Sequence, residues 1–92
     1  MNYYKITDIK DIKTLKTRTD GRYPLRIGSI VTLLNPNLKY NDCAFLEYIK
    51  DNQGNPKEGV LRTSIVHMIE IDGLDTILHT HNSIYYLKAI ED

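Results

Sequence analysis

A small, mainly β domain is the fold this sequence predicts: a Src-homology-3-like barrel or a sandwich of about five to six strands, with a short N-terminal helix as a variant. Three observations carry that prediction. A chain of 92 residues suffices for one domain with one core, so residues 1–92 read as a single β-rich domain. Alanine occurs only at 44 and 89, whereas Ile, Thr and Tyr are frequent, and β-branched and aromatic side chains fit a pleated, half-buried surface. Short apolar runs alternate with turn signals about every 8 to 12 residues, the spacing of small barrels and sandwiches.

Two conformations compete for the first segment. Ile6, Ile9, Ile12 and Leu15 recur every third residue, so a helical turn or two, N-capped by Thr7 or Asp8, would place them on one face. The alternative is an extended strand from Tyr3 to Thr7 followed by a loop. Asp20-Gly21 and Pro24 then mark a turn, because Gly tolerates positive φ and Pro fixes φ. A strand is predicted from Arg26 to Leu34, with a bend or close backbone approach at Gly28, and Asn35-Pro36-Asn37 closes it. Cys43 to Lys50 is the next strand, followed by the turn-rich loop Asp51 to Gly59. A short strand over Val60 to Arg62 precedes a hairpin of Ile65 to Ile71 and Asp75 to Thr80 around Asp72-Gly73-Leu74. Ile84 to Ala89 supplies the last strand.

Lys plus Arg equals Asp plus Glu at 12 each, so whole-molecule charge gives no steering towards nucleic acid or anionic membrane. A single cysteine, Cys43, excludes an intramolecular disulfide and suits a reducing cytoplasm. Neither a bilayer-length apolar run nor a signal-peptide pattern is present in the sequence, so no membrane association is expected. The charge is nevertheless polarised. Lys10, Lys13, Lys16, Arg18, Arg22 and Arg26 face only Asp11 and Asp20 in their stretch, whereas carboxylates dominate from Asp42 to Asp75.

That polarity defines the candidate ligand site. Guanidinium forks at Arg18, Arg22 and Arg26 can grip a phosphate bidentately, and Tyr23 could stack on a base; the competing account is a solvated loop whose arginines pair with acidic strands. Arg62, Thr63, Ser64, Asn82 and Ser83 can add hydrogen bonds from strand ends, and Tyr85 joins the candidate set. Tyr3, Tyr4, Tyr40, Tyr85 and Tyr86 are too many for one small core, so a homo-oligomer is expected. Of the adjacent Tyr85 and Tyr86, one should be core and the other exposed or at a subunit contact.

His79 and His81 share a face by alternation, which invites a zinc site. A two-residue turn at Gly73-Leu74 would set Met68 opposite His79 and Val66 opposite His81, leaving His67 on the other face. No cysteine or carboxylate completes a tetrahedral set, so neither metal nor cofactor is expected and the histidines read as exposed strand residues. Cys43, next to Ala44 and Phe45, reads as a small buried hydrophobe. No local signature supports a Cys-His or Ser-His pair, and catalysis is not expected.

Arg62-Thr63-Ser64-Ile65-Val66 and Thr80-His81-Asn82-Ser83-Ile84-Tyr85 resemble a pattern in small uncharacterised phage and prophage proteins of low-GC Gram-positive bacteria. There a Thr-Ser-x-Val strand and a Thr-x-Asn-Ser-x-Tyr strand lie near the C-terminus. The resemblance implies a small β barrel and a non-catalytic inhibitor or sponge of host defence in the host cytoplasm. Combined with the arginine cluster, it implies an anionic small-molecule partner such as a signalling nucleotide, or a blocked host protein. Two alternatives remain: a nucleic-acid-binding barrel, disfavoured by the neutral net charge, and a structural or accessory virion protein.

Overall fold

A computed structural model describes residues 2–90, and in it six antiparallel strands close into a barrel in chain order. They are β1 (Tyr3–Asp11), β2 (Ile30–Leu33), β3 (Cys43–Lys50), β4 (Val60–Asp72), β5 (Asp75–Thr80) and β6 (Ser83–Ile90), with one helical turn, α1 (Tyr23–Arg26), between β1 and β2. The architecture is a barrel rather than a sandwich, and β1 closes it by pairing with both β2 and β6. Among the described residues, no helix is long and apolar enough to cross a membrane.

The N-terminal segment is strand, not helix. A register shift between Ile6 and Asp8 in the β1–β6 ladder inserts one extra residue, and such a bulge turns a two-residue side-chain period locally into three. Ile6 and Ile9 are therefore both fully buried on the barrel side of one strand. The stripe stops there: Ile12 is half-buried, and Leu15 is 59% exposed at φ 60.

Only Tyr3 to Lys5 of β1 pair with β2. Beyond them, the connection between β1 and α1 doubles back along the free edge of β1, with Arg18 N donating to Ile9 O at 2.8 Å and Asp11 N to Lys16 O at 2.9 Å. After α1 the chain returns to the same edge, where Gly28 N donates to Ile6 O and Ile6 N to Ser29 O. The predicted strand from Arg26 thus begins only at Ile30. Pro24 at the start of α1 favours the helical turn that holds Arg26, and Gly28 supplies the bend at φ 96, where an added Cβ would lie against Asn52.

β4 is one strand of 13 residues where two were predicted. Its first half pairs with β3 and its second with β5, with register shifts at Cys43/Phe45 and Val66/Met68. β3 and β5 keep their predicted bounds, and β6 extends one residue further at each end. Ile6, Ile9, Val31, Ala44, Leu46, Tyr48, Leu61, Val66, Leu78, Tyr85 and Leu87 form the core cluster, every strand contributing. Each fully buried Val, Leu or Ile side chain among them is worth about 1.5–3 kcal/mol.

Candidate functional site

The loop folded along β1 and the turn α1 bring the predicted arginines to one side of the barrel. Arg18 lies with its guanidinium 4.1 Å from the Tyr23 ring centroid, and Arg26 lies over the same ring at 4.9 Å. Arg18 is fully engaged: it forks onto Asp20 through Nε (3.1 Å) and Nη2 (2.8 Å), while Nη1 donates to Asn82 O and to Ser83 Oγ, both at 3.0 Å. Its side chain is only 16% exposed. The hydrogen-bonded carboxylate of Asp20 raises the Arg18 pKa, and Asp20 is held below the usual carboxylate range by the same bonds. Arg18 therefore ties the loop to the start of β6 instead of presenting a fork to a ligand.

Tyr23 is likewise committed. It packs against the core cluster and carries two guanidiniums, so a base could stack on it only by displacing one. Thr63 and Ser64 are also structural: Thr63 Oγ1 accepts from Ala44 N at 3.0 Å and donates to Ser64 O at 2.8 Å, while Ser64 Oγ accepts from Asn82 N at 3.2 Å. Arg62 sits exposed on β4 opposite Phe45 and lines neither of the two clefts beside the loop arginines. Ser83 is buried at 1% exposure. Of the ten predicted residues, Arg18, Tyr23, Arg26, Asn82, Ser83 and Tyr85 come together as one cluster.

A cleft of about 220 Å³ opens beside that cluster, lined by Arg22, Leu25, Arg26, Tyr48, Lys57, Glu58, Gly59, Val60 and Leu61. Three cations there face one carboxylate. Arg26 is anchored by Nη1 donating to the Tyr85 hydroxyl at 3.2 Å, and Lys57 lies 4.1 Å from the Tyr48 ring centroid. Burial pushes the Tyr85 phenol up to about 12, with the Arg26 charge opposing the shift. Burial raises Tyr48 too, again opposed by Arg26. Both phenols therefore stay neutral at physiological pH. Arg22 is exposed, and its guanidinium is found in no hydrogen bond or ion pair among the described residues. Lys57 and Tyr48 escaped the sequence reading, since Lys57 sits in a turn-rich loop and Tyr48 in a strand remote from the arginines along the chain.

No family model matches this chain. Nor does any curated protein or solved structure match it.

The remaining predicted features fall outside the cleft. Tyr85 is the core partner of the tyrosine pair at 2% exposure, and Tyr86 is half-buried under the Lys10 ammonium, 5.0 Å from its ring centroid. Cys43 is half-buried at the start of β3, because it points to the outer side of the barrel opposite Ile65 while Ala44 takes the core position. Met68 does oppose His79, but the shift after Val66 sets Val66 opposite Thr80 instead of His81. His79 Nε2 contacts Glu70 Oε1, whereas the rings of His67 and His81 meet with centroids 5.8 Å apart. Among the described residues, no three His, Cys, Asp or Glu side chains converge as a metal site.

Proposed function

We propose that this chain is a non-catalytic binding barrel that captures an anionic ligand in the cleft of Arg22, Arg26 and Lys57. In this reading it is a phage- or prophage-type sponge or inhibitor of host defence, acting as a homo-oligomer in the bacterial cytoplasm. One observation carries the ligand class: three cations line a single cleft against one carboxylate, and Arg26 is pre-positioned there by the Tyr85 hydroxyl. Pre-positioning lowers the entropy that binding must offset, and a guanidinium fork matches phosphate geometry. Size narrows the ligand further. At about 220 Å³ the cleft falls below the roughly 300–1,000 Å³ of sites that enclose a drug-sized molecule. It accommodates a phosphoryl group, with the rest of a signalling nucleotide lying outside along Leu25 and Val60, which are 60% and 52% exposed. The defence role is supported by the resemblance of the Thr63–Val66 and Thr80–Tyr85 segments to phage proteins.

The test uses native mass spectrometry on protein produced in a bacterium with active nucleotide-based defence signalling, followed by analysis of released small molecules. A stoichiometric phosphorylated ligand is expected on the wild type and absent from Arg22→Ala/Lys57→Ala. Charge-assisted hydrogen bonds contribute about 1.5–3 kcal/mol each, so the double variant should bind the released ligand about 100-fold or more weakly, with unchanged circular dichroism. Retention of the ligand by the double variant would exclude this cleft, and a ligand-free wild type would exclude the nucleotide sponge.

A further inference from the structure

We infer that His67 and His81 form a two-imidazole site for a borderline divalent cation, Zn²⁺ being the reference case. The strand geometry creates the pair. The register shift between Val66 and Met68 leaves His67 as the extra residue of the β4–β5 ladder, and His81 N donates to Ile65 O at 2.9 Å, which fixes the turn after β5 beside it. Both side chains are exposed, and their rings stand 5.8 Å apart by centroid with planes inclined at 59°.

That spacing suits a shared cation. With a metal–nitrogen distance of about 2.0–2.1 Å, each ring centroid lies about 3.2 Å from the metal, and a tetrahedral angle places the two centroids about 5.2 Å apart. A closure of about half an ångström, within reach of two exposed side-chain torsions, completes the chelate. Imidazole nitrogen is a good ligand for Zn²⁺, Cu²⁺ and Ni²⁺ and a poor one for Mg²⁺ and Ca²⁺. His81 also borders a cleft that contains Asp11, Lys13 and Arg18. One oxygen of Asp11 already accepts from the N–H groups of Lys13 and Thr14, and the other faces Arg18 at 4.0 Å. The remaining coordination positions are therefore left to water. This site is separate from the cleft of Arg22, Arg26 and Lys57, and its test stands apart from that of anion binding.

The experiment titrates purified protein with zinc chloride while following the three histidine rings by nuclear magnetic resonance. His67 and His81 signals should move together, saturating at the same Zn²⁺ concentration, while those of His79, held by Glu70, stay in place. Calorimetry should show His67→Ala and His81→Ala each weakening Zn²⁺ binding by about tenfold or more, with His79→Ala unchanged. Both substituted side chains are exposed, so the thermal midpoint without metal should stay near that of the wild type. Movement of His79 alone, full-strength binding by His67→Ala, or ring signals unmoved by Zn²⁺ would each overturn the site.

Discussion

Three buried threonines show how a single hydroxyl changes sign with its partners. Thr63 and Thr80 are 3% and 1% exposed, and each hydroxyl both donates and accepts: Thr63 to Ser64 O and from Ala44 N, Thr80 to Ser83 O and from Ser83 N. Thr32 is equally buried at 1%, yet its Oγ1 has no partner among the described residues. Replacing a satisfied hydroxyl by a methyl strands the buried groups that remain, at about 1–3 kcal/mol. Removing an unsatisfied one is neutral or favourable. Thermal unfolding should therefore show Thr63→Val and Thr80→Val lowering the midpoint by at least about 4 °C, and Thr32→Val holding or raising it. The same contrast separates Arg18, consumed by Asp20 and the β6 start, from Arg22, whose charge is left to solvent. Nothing in the residue types distinguishes those two arginines; the bonds each makes do.

Among the elements, β3 and β5 were legible because turn residues bracket them and their side chains alternate without interruption. β1 was legible only as one of two alternatives, its strand from Tyr3 expected to stop at Thr7, since the bulge after Ile6 spaces Ile6 and Ile9 like neighbours on a helix. β4 reads as two strands for a related reason: Thr63 and Ser64 break the apolar pattern, although the backbone stays extended and simply changes partner. The Arg26–Leu34 strand shortened because Pro24 and Gly28 impose a turn of helix and a left-handed bend before Ile30. Gly28 is the critical point of that approach. At φ 96 an L-residue is strained by about 1–2 kcal/mol, and an added Cβ would meet Asn52 Cβ at 3.4 Å. Gly28→Ala should lower the unfolding free energy by that amount, read as a lower denaturant midpoint with an unchanged slope of the transition.

At the scale of the molecule, barrel closure joins groups that the chain keeps far apart. Tyr3 pairs with Ile90, and the cationic cleft draws on Arg22 and Arg26 before β2, Tyr48 in β3 and Lys57 in the loop that follows it. The folded charge pattern also sets the pH range of stability. Asp11 is held below the usual carboxylate range by the Thr14 and Lys13 N–H groups, Asp20 by Arg18, and Asp51 by the N–H groups of Asn55 and Gln53. Their contributions are present above about pH 4, the ordinary carboxylate value, and are lost as pH falls through the lower folded values. Tyr85 acts in the opposite sense. Its phenol is pushed up to about 12 by burial from about 10 when unfolded, so its contribution is intact below about pH 10 and lost as pH rises towards 12. Denaturation midpoints measured against pH should fall at both ends, and Tyr85→Phe should make the alkaline fall shallower while leaving the acid one in place.

The sequence by itself determined the class of fold, because β-branched and aromatic side chains, scarce alanine and closely spaced turns admit a meander of short strands and little else. It also determined where β3 and β5 lie and that cations concentrate between residues 10 and 26. Only the tertiary structure decided which of those cations face solvent in a cleft and which are spent on loop anchoring. It also decided that Tyr48 and Lys57 border the cleft, and that His67 meets His81 while His79 meets Glu70. The physical reason is common to all three. Strand register, and the single-residue bulges that shift it, fix which side chains become neighbours, and neither is encoded in the local pattern of residue types.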